Sequence, residues 1–238
     1  MAKTFKVLSA LLCYPTEELQ AAVGELAATL NAESLLGVHQ RRPLGVLLRQ
    51  LKNRPLLELQ ERYVFLFDRT RSLSLQLFEH IHGESRDRGQ AMVDLLELYR
   101  RHGLELDARE LPDYLPLFLE FLSTRPLDEA RELLAQPLHI LVALGKRLGR
   151  RKSPYAAVFE ALARLTETDP APVDLQSLLD LPEDDPQDFQ PLDQIWEEEA
   201  VLFGLGSADG VRCEQAAKAL NRMGAGINSS PTGGVTGE

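Results

Sequence analysis

Leucine recurs through the first two thirds of the chain at intervals of three and four residues. That spacing aligns one face of an α-helix. Leu19, Val23, Leu26 and Leu30 form one stripe after a start at Pro15-Thr16, and Leu44, Leu47, Leu48 and Leu51 form another, opened by Pro43 and closed before Pro55. Leu56, Leu59, Tyr63, Leu66 and Phe67 make a third. Met92, Leu95, Leu96 and Tyr99 continue the series and stop at Gly103, a residue suited to the position just past a helix end. Leu115, Phe118, Leu119 and Leu122 follow Pro112-Asp113, and residues 127–150 predict helix broken near Pro137. Ser153-Pro154 reads as a cap and first turn before Val158, Phe159, Leu162 and Leu165. Leu73, Leu75 and Leu77 alternate with polar residues instead, which predicts an extended connection or an irregular helix. The expected class is all-α, with one helical domain over residues 1–168.

From about Asp169 to Pro191 the pattern gives way to Asp-Pro-Ala-Pro and Pro-Glu-Asp-Asp-Pro, an acidic, proline-punctuated linker poorly suited to a packed core. A short amphipathic helix is expected over 192–204, carrying Leu192, Ile195, Trp196, Val201 and Phe203 and packing back on the body. Residues 205–238 are expected to be mostly mobile, ending in a Gly/Ser/Thr-rich run.

Composition narrows the class. A chain of 238 residues can bury one sizeable core without staples. Hydrophobic residues make up 44% and aromatic residues 6%, a leucine-rich balance that favours helices over a β-sandwich. The net charge of −10 is local: residues 167–199 hold twelve Asp/Glu and no Lys/Arg, whereas residues 1–166 hold 23 Lys/Arg and 21 Asp/Glu. The body therefore lacks the basic stripe that nucleic-acid binding needs. Lys146, Arg147, Arg150, Arg151 and Lys152 form its one basic cluster, read as last-turn cations complementing a helix dipole, with lipid or phosphate binding as the alternative. Cys13 and Cys213 stand far apart and cannot build a disulfide framework or a thiolate cage, which points to a reducing cytoplasm. The N-terminus shows no signal-peptide apolar region, and no apolar run reaches the ~18 residues of a membrane span.

Candidate chemistry concentrates in residues 79–94. Glu79, His80, His82, Glu84, Arg86, Asp87 and Arg88 crowd between Phe78 and Met92, broken by Gly83 and Gly89. Three readings are open. The block can be a recognition loop, a loop pinned by Arg–carboxylate and histidine hydrogen bonds, or a metal site of a hydrolase using His80, His82, Glu84 and Asp87. His-x-His suits zinc, but Arg86 and Arg88 oppose a cation. No phosphate loop, nucleophile elbow or His-Glu-x-x-His is present, so no catalytic residue is assigned.

The run from Leu77-Phe78-Glu79-His80 through His82-Gly83-Glu84-Ser85-Arg86-Asp87-Arg88-Gly89-Gln90-Ala91-Met92-Val93-Asp94 resembles the hallmark of the NarJ family of nitrate reductase assembly chaperones. Glu58-x4-Tyr63-x2-Leu66-Phe67 is similar to the first conserved motif of the wider TorD/DmsD/NarJ superfamily, and Asp68-Arg69 to its NarJ branch. Pro112-Asp113-Tyr114-Leu115-Pro116 resembles the second motif, with Tyr114 where histidine is common. Trp196-Glu197-Glu198-Glu199 looks like a further feature of the branch.

The resemblance implies a TorD-like helical bundle without catalysis or a stably bound cofactor. It implies a cytoplasmic chaperone that binds the apo catalytic (alpha) subunit of membrane-bound nitrate reductase, including its N-terminal segment. The molybdenum cofactor enters that client before membrane attachment, with proteins of molybdenum cofactor biosynthesis as further candidate partners. Another molybdoenzyme is the alternative client. The client-peptide residues expected on this basis are Leu59, Tyr63, Leu66, Phe67, Phe78, Glu84, Arg86, Asp87, Arg88, Asp113 and Tyr114. Leu59, Tyr63, Leu66 and Phe67 would form the floor of an apolar groove, and the charged residues its rim. Ordinary core is the competing reading of the four floor residues.

Overall fold

A computed structural model describes residues 2–82, 86–106 and 110–181. Among them the chain is all-α, with no strand and one isolated antiparallel bridge between Gln76 and Tyr114. The helices are α1 (Lys3–Leu11), α2 (Glu17–Glu33), α3 (Val38–Asn53), α4 (Leu56–Tyr63), α5 (Glu79–His82), α6 (Arg86–Arg101), α7 (Leu115–Ser123), α8 (Leu127–Ala135), α9 (Leu138–Arg150), α10 (Ala156–Leu165) and α11 (Pro172–Leu179). None is long and apolar enough to cross a membrane. The expected short helix at 192–204 and the tail at 205–238 lie outside the described residues.

The centre of the bundle is α1, which packs against α7 and α2. It buries Thr4, Phe5, Val7, Leu8, Ser9 and Leu11 and keeps Lys3 and Lys6 exposed on the opposite side. Its first amides have no partner within the helix, and Glu33 of α2 supplies one. The Glu33 carboxylate accepts from Lys3 N and Thr4 N at 2.6 Å each and from Thr4 Oγ1 at 2.7 Å. At the other end, Ser9 Oγ donates to the Pro116 carbonyl of α7 at 2.6 Å.

A second layer joins α9 to α10 and α10 to α3. Gly145 permits the first contact, since a Cβ there would stand 3.1 Å from Phe159 Cβ. The break expected at Pro137 falls between α8 and α9. Two boundaries differ from the sequence reading. Helix α3 begins at Val38, so Pro43 lies inside it rather than opening it; the unmatched carbonyl one turn back belongs to exposed His39, where water can take it. Residues 172–179, placed by composition in an unpacked linker, form α11 on α9. Leu178 is buried, with Leu175 and Leu179 packed beside the core.

The alternating leucines at 73, 75 and 77 are all buried. They leave a single 3-10 turn, Arg71–Leu73, and continue as the extended connection that bridges to Tyr114.

Candidate functional site

Helix α4 does not end regularly. After Tyr63 the backbone widens into a π turn, Val64–Asp68, closed by Arg69 N donating to Val64 O at 3.0 Å. A π turn holds about one residue more than an α turn, which brings Asp68 toward the side shared by Tyr63 and Phe67. The three line a cavity of about 310 Å³ with Tyr14, Gln76, Glu110 and Tyr114. Its walls are aromatic: Tyr63 meets Tyr14 edge-on at 5.5 Å and Phe67 at 5.0 Å, while Phe67 meets Tyr155 at 5.1 Å.

Two hydroxyls give that wall polarity. Tyr63 OH donates to the Leu12 carbonyl at 2.8 Å, so its oxygen is left to accept from Tyr114 OH at 3.2 Å. Burial pushes Tyr114 up to about 12 and raises Tyr63 as well, so both remain neutral phenols at physiological pH. Partial desolvation also raises Asp68 at the mouth.

Asp113 presents Tyr114 from behind. It is wholly buried; Oδ2 accepts from Phe78 N at 2.9 Å, and its carbonyl accepts from Leu77 N at 3.0 Å. Leu115 N then donates to Leu75 O at 2.9 Å, so the second motif is stitched to the extended run. Burial raises the Asp113 carboxyl, opposed by the Phe78 amide and the charge of Arg88. Asp113 is a clamp in the fold and does not line the cavity.

The structure brings Tyr63, Phe67 and Tyr114 together on one cavity and leaves the other expected residues elsewhere. Leu59 and Leu66 are buried in the core. Phe78 is half-buried against the core beside the Asp113 clamp. Glu84 lies outside the described residues, and Arg86 opens α6. Asp87 is exposed and Arg88 half-buried in the first turn of α6, and neither lines the aromatic cavity.

His80 is held by its Nε2 against the Ser74 carbonyl at 2.8 Å. Burial lowers it, with Arg147 adding to the shift, so it is a neutral ring pinning α5. Nε2 must carry the proton in that bond, which leaves only Nδ1 for any metal. Among the described residues no group of three His, Cys, Asp or Glu side chains could hold an ion. The basic cluster also has a use the helix dipole does not describe. Arg147 is buried, donating Nη1 to Ser72 O at 2.8 Å and Nη2 to Leu178 O at 2.5 Å, so it ties α11 to the loop before the cavity.

A second cavity of about 350 Å³ adjoins the first through Glu110. Tyr99, Leu104, Leu106, Leu117 and Phe121 give it an apolar interior, with Glu105, Glu110 and Glu120 at its edge. Helix α6 shapes one wall by how it ends. Gly103 takes φ +75°, Gly103 N donates to Arg100 O and Leu104 N to Tyr99 O, and the turn folds Leu104 back beside Tyr99. Sequence reasoning missed this cavity, as well as Tyr14 and Glu110. Its apolar residues come from three separate segments, and loop glutamates resemble any solvated acid. Gly103 after Tyr99 was the one legible signal.

Residues 16–161 match the family model described as nitrate reductase delta subunit. The chain is 45% identical over 199 residues to the nitrate reductase molybdenum cofactor assembly chaperone NarJ of Escherichia coli K12, covering 83% of each chain. It is 43% identical over 198 residues to the probable chaperone of the same description, NarW, from that organism, covering 83% of this chain and 82% of that one. Among solved structures it is similar to one described as a redox enzyme maturation protein from Archaeoglobus fulgidus. The TM-score is 0.52 at 23% identity, covering 71% of this chain and 94% of that one, a likeness of fold.

Proposed function

The chain belongs to the nitrate reductase delta subunit family, and on that premise we propose that it is a dedicated assembly chaperone for respiratory nitrate reductase. Its client is the apo form of the catalytic alpha subunit, bound in part through the N-terminal segment. The chaperone works in the cytoplasm, keeps the client open for molybdenum cofactor insertion, and releases it before membrane attachment. It performs no catalysis and holds no cofactor of its own; proteins of molybdenum cofactor biosynthesis are its second class of partner.

One observation carries the reading to a place on the molecule. The Tyr63 and Tyr114 hydroxyls, from the two motif segments, meet 3.2 Å apart at the wall of an aromatic cavity. An aromatic wall with two neutral phenols, and the carboxyl groups of Asp68 and Glu110 beside it, suits a peptide segment that carries both apolar and polar groups. Four buried client anchors at about 1.5–3 kcal/mol each supply roughly 6–12 kcal/mol. Association costs of about 4 kcal/mol or more leave a releasable complex.

Calorimetry with a peptide of the client's N-terminal segment tests this. Tyr14 is 44% exposed, so Tyr14→Ala should leave the fold intact. It should weaken binding about tenfold, the scale of a lost aromatic contact. Unaltered affinity in Tyr14→Ala and Tyr114→Phe would remove this cavity from the client site.

A further inference from the structure

We propose that α11 is a latch on the first cavity: the buried guanidinium of Arg147 holds Leu178 of α11 with one nitrogen and Ser72 of the cavity loop with the other, so the loop stays firm only while α11 is docked. The coupling lies within the chain and holds whatever fills the cavity, so it goes beyond the client reading.

One side chain joins three elements. Arg147 comes from α9 and is 2% exposed, a depth at which a charged side chain is kept by the bonds its donors make. Nη2 donates to Leu178 O at 2.5 Å and Nη1 to Ser72 O at 2.8 Å, and the planar fork fixes the spacing of the two. Ser72 lies in the 3-10 turn Arg71–Leu73, and the residues that follow, Ser74, Leu75 and Gln76, line the first cavity. The turn is joined to the rest of that wall as well. Arg151, one helical turn further along α9, donates to Thr70 Oγ1 at 3.4 Å. Thr70 Oγ1 in turn donates to Phe65 O at 2.9 Å, inside the π turn that brings Phe67 and Asp68 to the cavity. Residues 70–76 therefore rest on α9, and Arg147 is where α11 reaches them.

Docking sets the strength of that tie. Helix α11 packs on α9 with Leu178 buried and Leu175 and Leu179 beside the core. While it stays there, both bonds of the guanidinium are shielded from water, and a shielded charge-assisted bond is stronger than an exposed one. When α11 lifts, Nη2 loses its carbonyl and water reaches the guanidinium. The bond to Ser72 then competes with hydration, and the loop loses most of its hold. Lifting is a local event: α11 is eight residues long, and short elements with few buried contacts open well before the whole fold does.

Hydrogen exchange on the full chain, read residue by residue, tests the latch. The reporters are the amides of Leu73 and Ser74, which donate to Thr70 O and Arg71 O within the turn. Leu178→Asp, which puts a charge where α11 meets the core, should undock the helix and speed both reporters about tenfold, the scale of one lost hydrogen bond to a charged group. Amides of α1 should keep their rates. Where α1 loosens too, the milder pair Leu175→Ala/Leu179→Ala takes its place and should give the same pattern. Arg147→Met should speed the reporters to a similar degree by itself. Leu178→Asp added to Arg147→Met should then speed α11 and leave the reporters where Arg147→Met put them, the non-additivity expected of residues acting through one tie. Faster exchange in α11 with the reporters unmoved overturns the proposal, as does Arg147→Met without effect on the reporters. Reporters accelerated further by Leu178→Asp in the Arg147→Met background overturn it too, because α11 would then cover the loop without the guanidinium.

Discussion

Asp113 shows how a motif residue can position a cavity wall without lining the cavity. Its carboxylate holds the Phe78 amide, and its backbone holds Leu77, so Tyr114 next to it reaches Tyr63. Asp113→Ala removes the acceptor of the part-buried Phe78 N–H and should cost about 1–3 kcal/mol in urea unfolding. Asp113→Asn keeps an acceptor and should cost less. The two also separate by pH. Because burial raises the folded-state value, the folded protein keeps that proton to higher pH than the unfolded chain. Wild-type stability should therefore fall relative to Asp113→Asn as pH rises from the ordinary carboxylate value through the raised one. A difference that grows in the opposite sense would show that the charged form is favoured. Tyr63, Phe67 and Tyr114 were legible at this scale through spacing and resemblance. Leu59 and Leu66 share the same stripe, and a stripe alone does not distinguish core from the wall of a cavity. Tyr14 lies between helices with no pattern around it.

At the scale of elements, α1 was not read from the sequence although it has a helical pattern: six of its nine residues are buried, and Lys3 and Lys6 stay exposed. The π turn after Tyr63 left no mark in the sequence, since Val-Phe-Leu-Phe-Asp fits a regular helix equally well. Composition misplaced α11 because prolines and acids outweigh its three leucines, and because its anchor, Arg147, comes from a helix far back in the chain. Arg147→Met would leave the carbonyls of Ser72 and Leu178 without those bonds and should cost at least about 2 kcal/mol. Hydrogen exchange in that variant should rise first in α11 and in residues 71–76. Protection unchanged in α11 would mean that its leucines alone hold it. Gly103 gives a second prediction. Gly103→Ala forces a side chain into a left-handed turn at φ +75° and should cost about 1 kcal/mol by thermal unfolding. It should also loosen Leu104 against Tyr99.

Over the whole molecule, two cavities joined at Glu110 open on a helical body whose charge nearly balances through residue 166. The acidity of the chain is a separate matter, concentrated from 167 to 199. The fold class was legible in leucine spacing, whereas the assembly-chaperone family was reached through resemblance and relatives, because a cavity wall looks like core until its lining is seen. We propose above all that this body grips the unfinished alpha subunit of nitrate reductase. The most direct measurement is co-purification of the full chain with that subunit, expressed with and without molybdenum cofactor synthesis. A stoichiometric complex with the cofactor-free subunit, lost once the cofactor is in place, is the predicted result. Equal capture of both forms, or capture of neither, would contradict it.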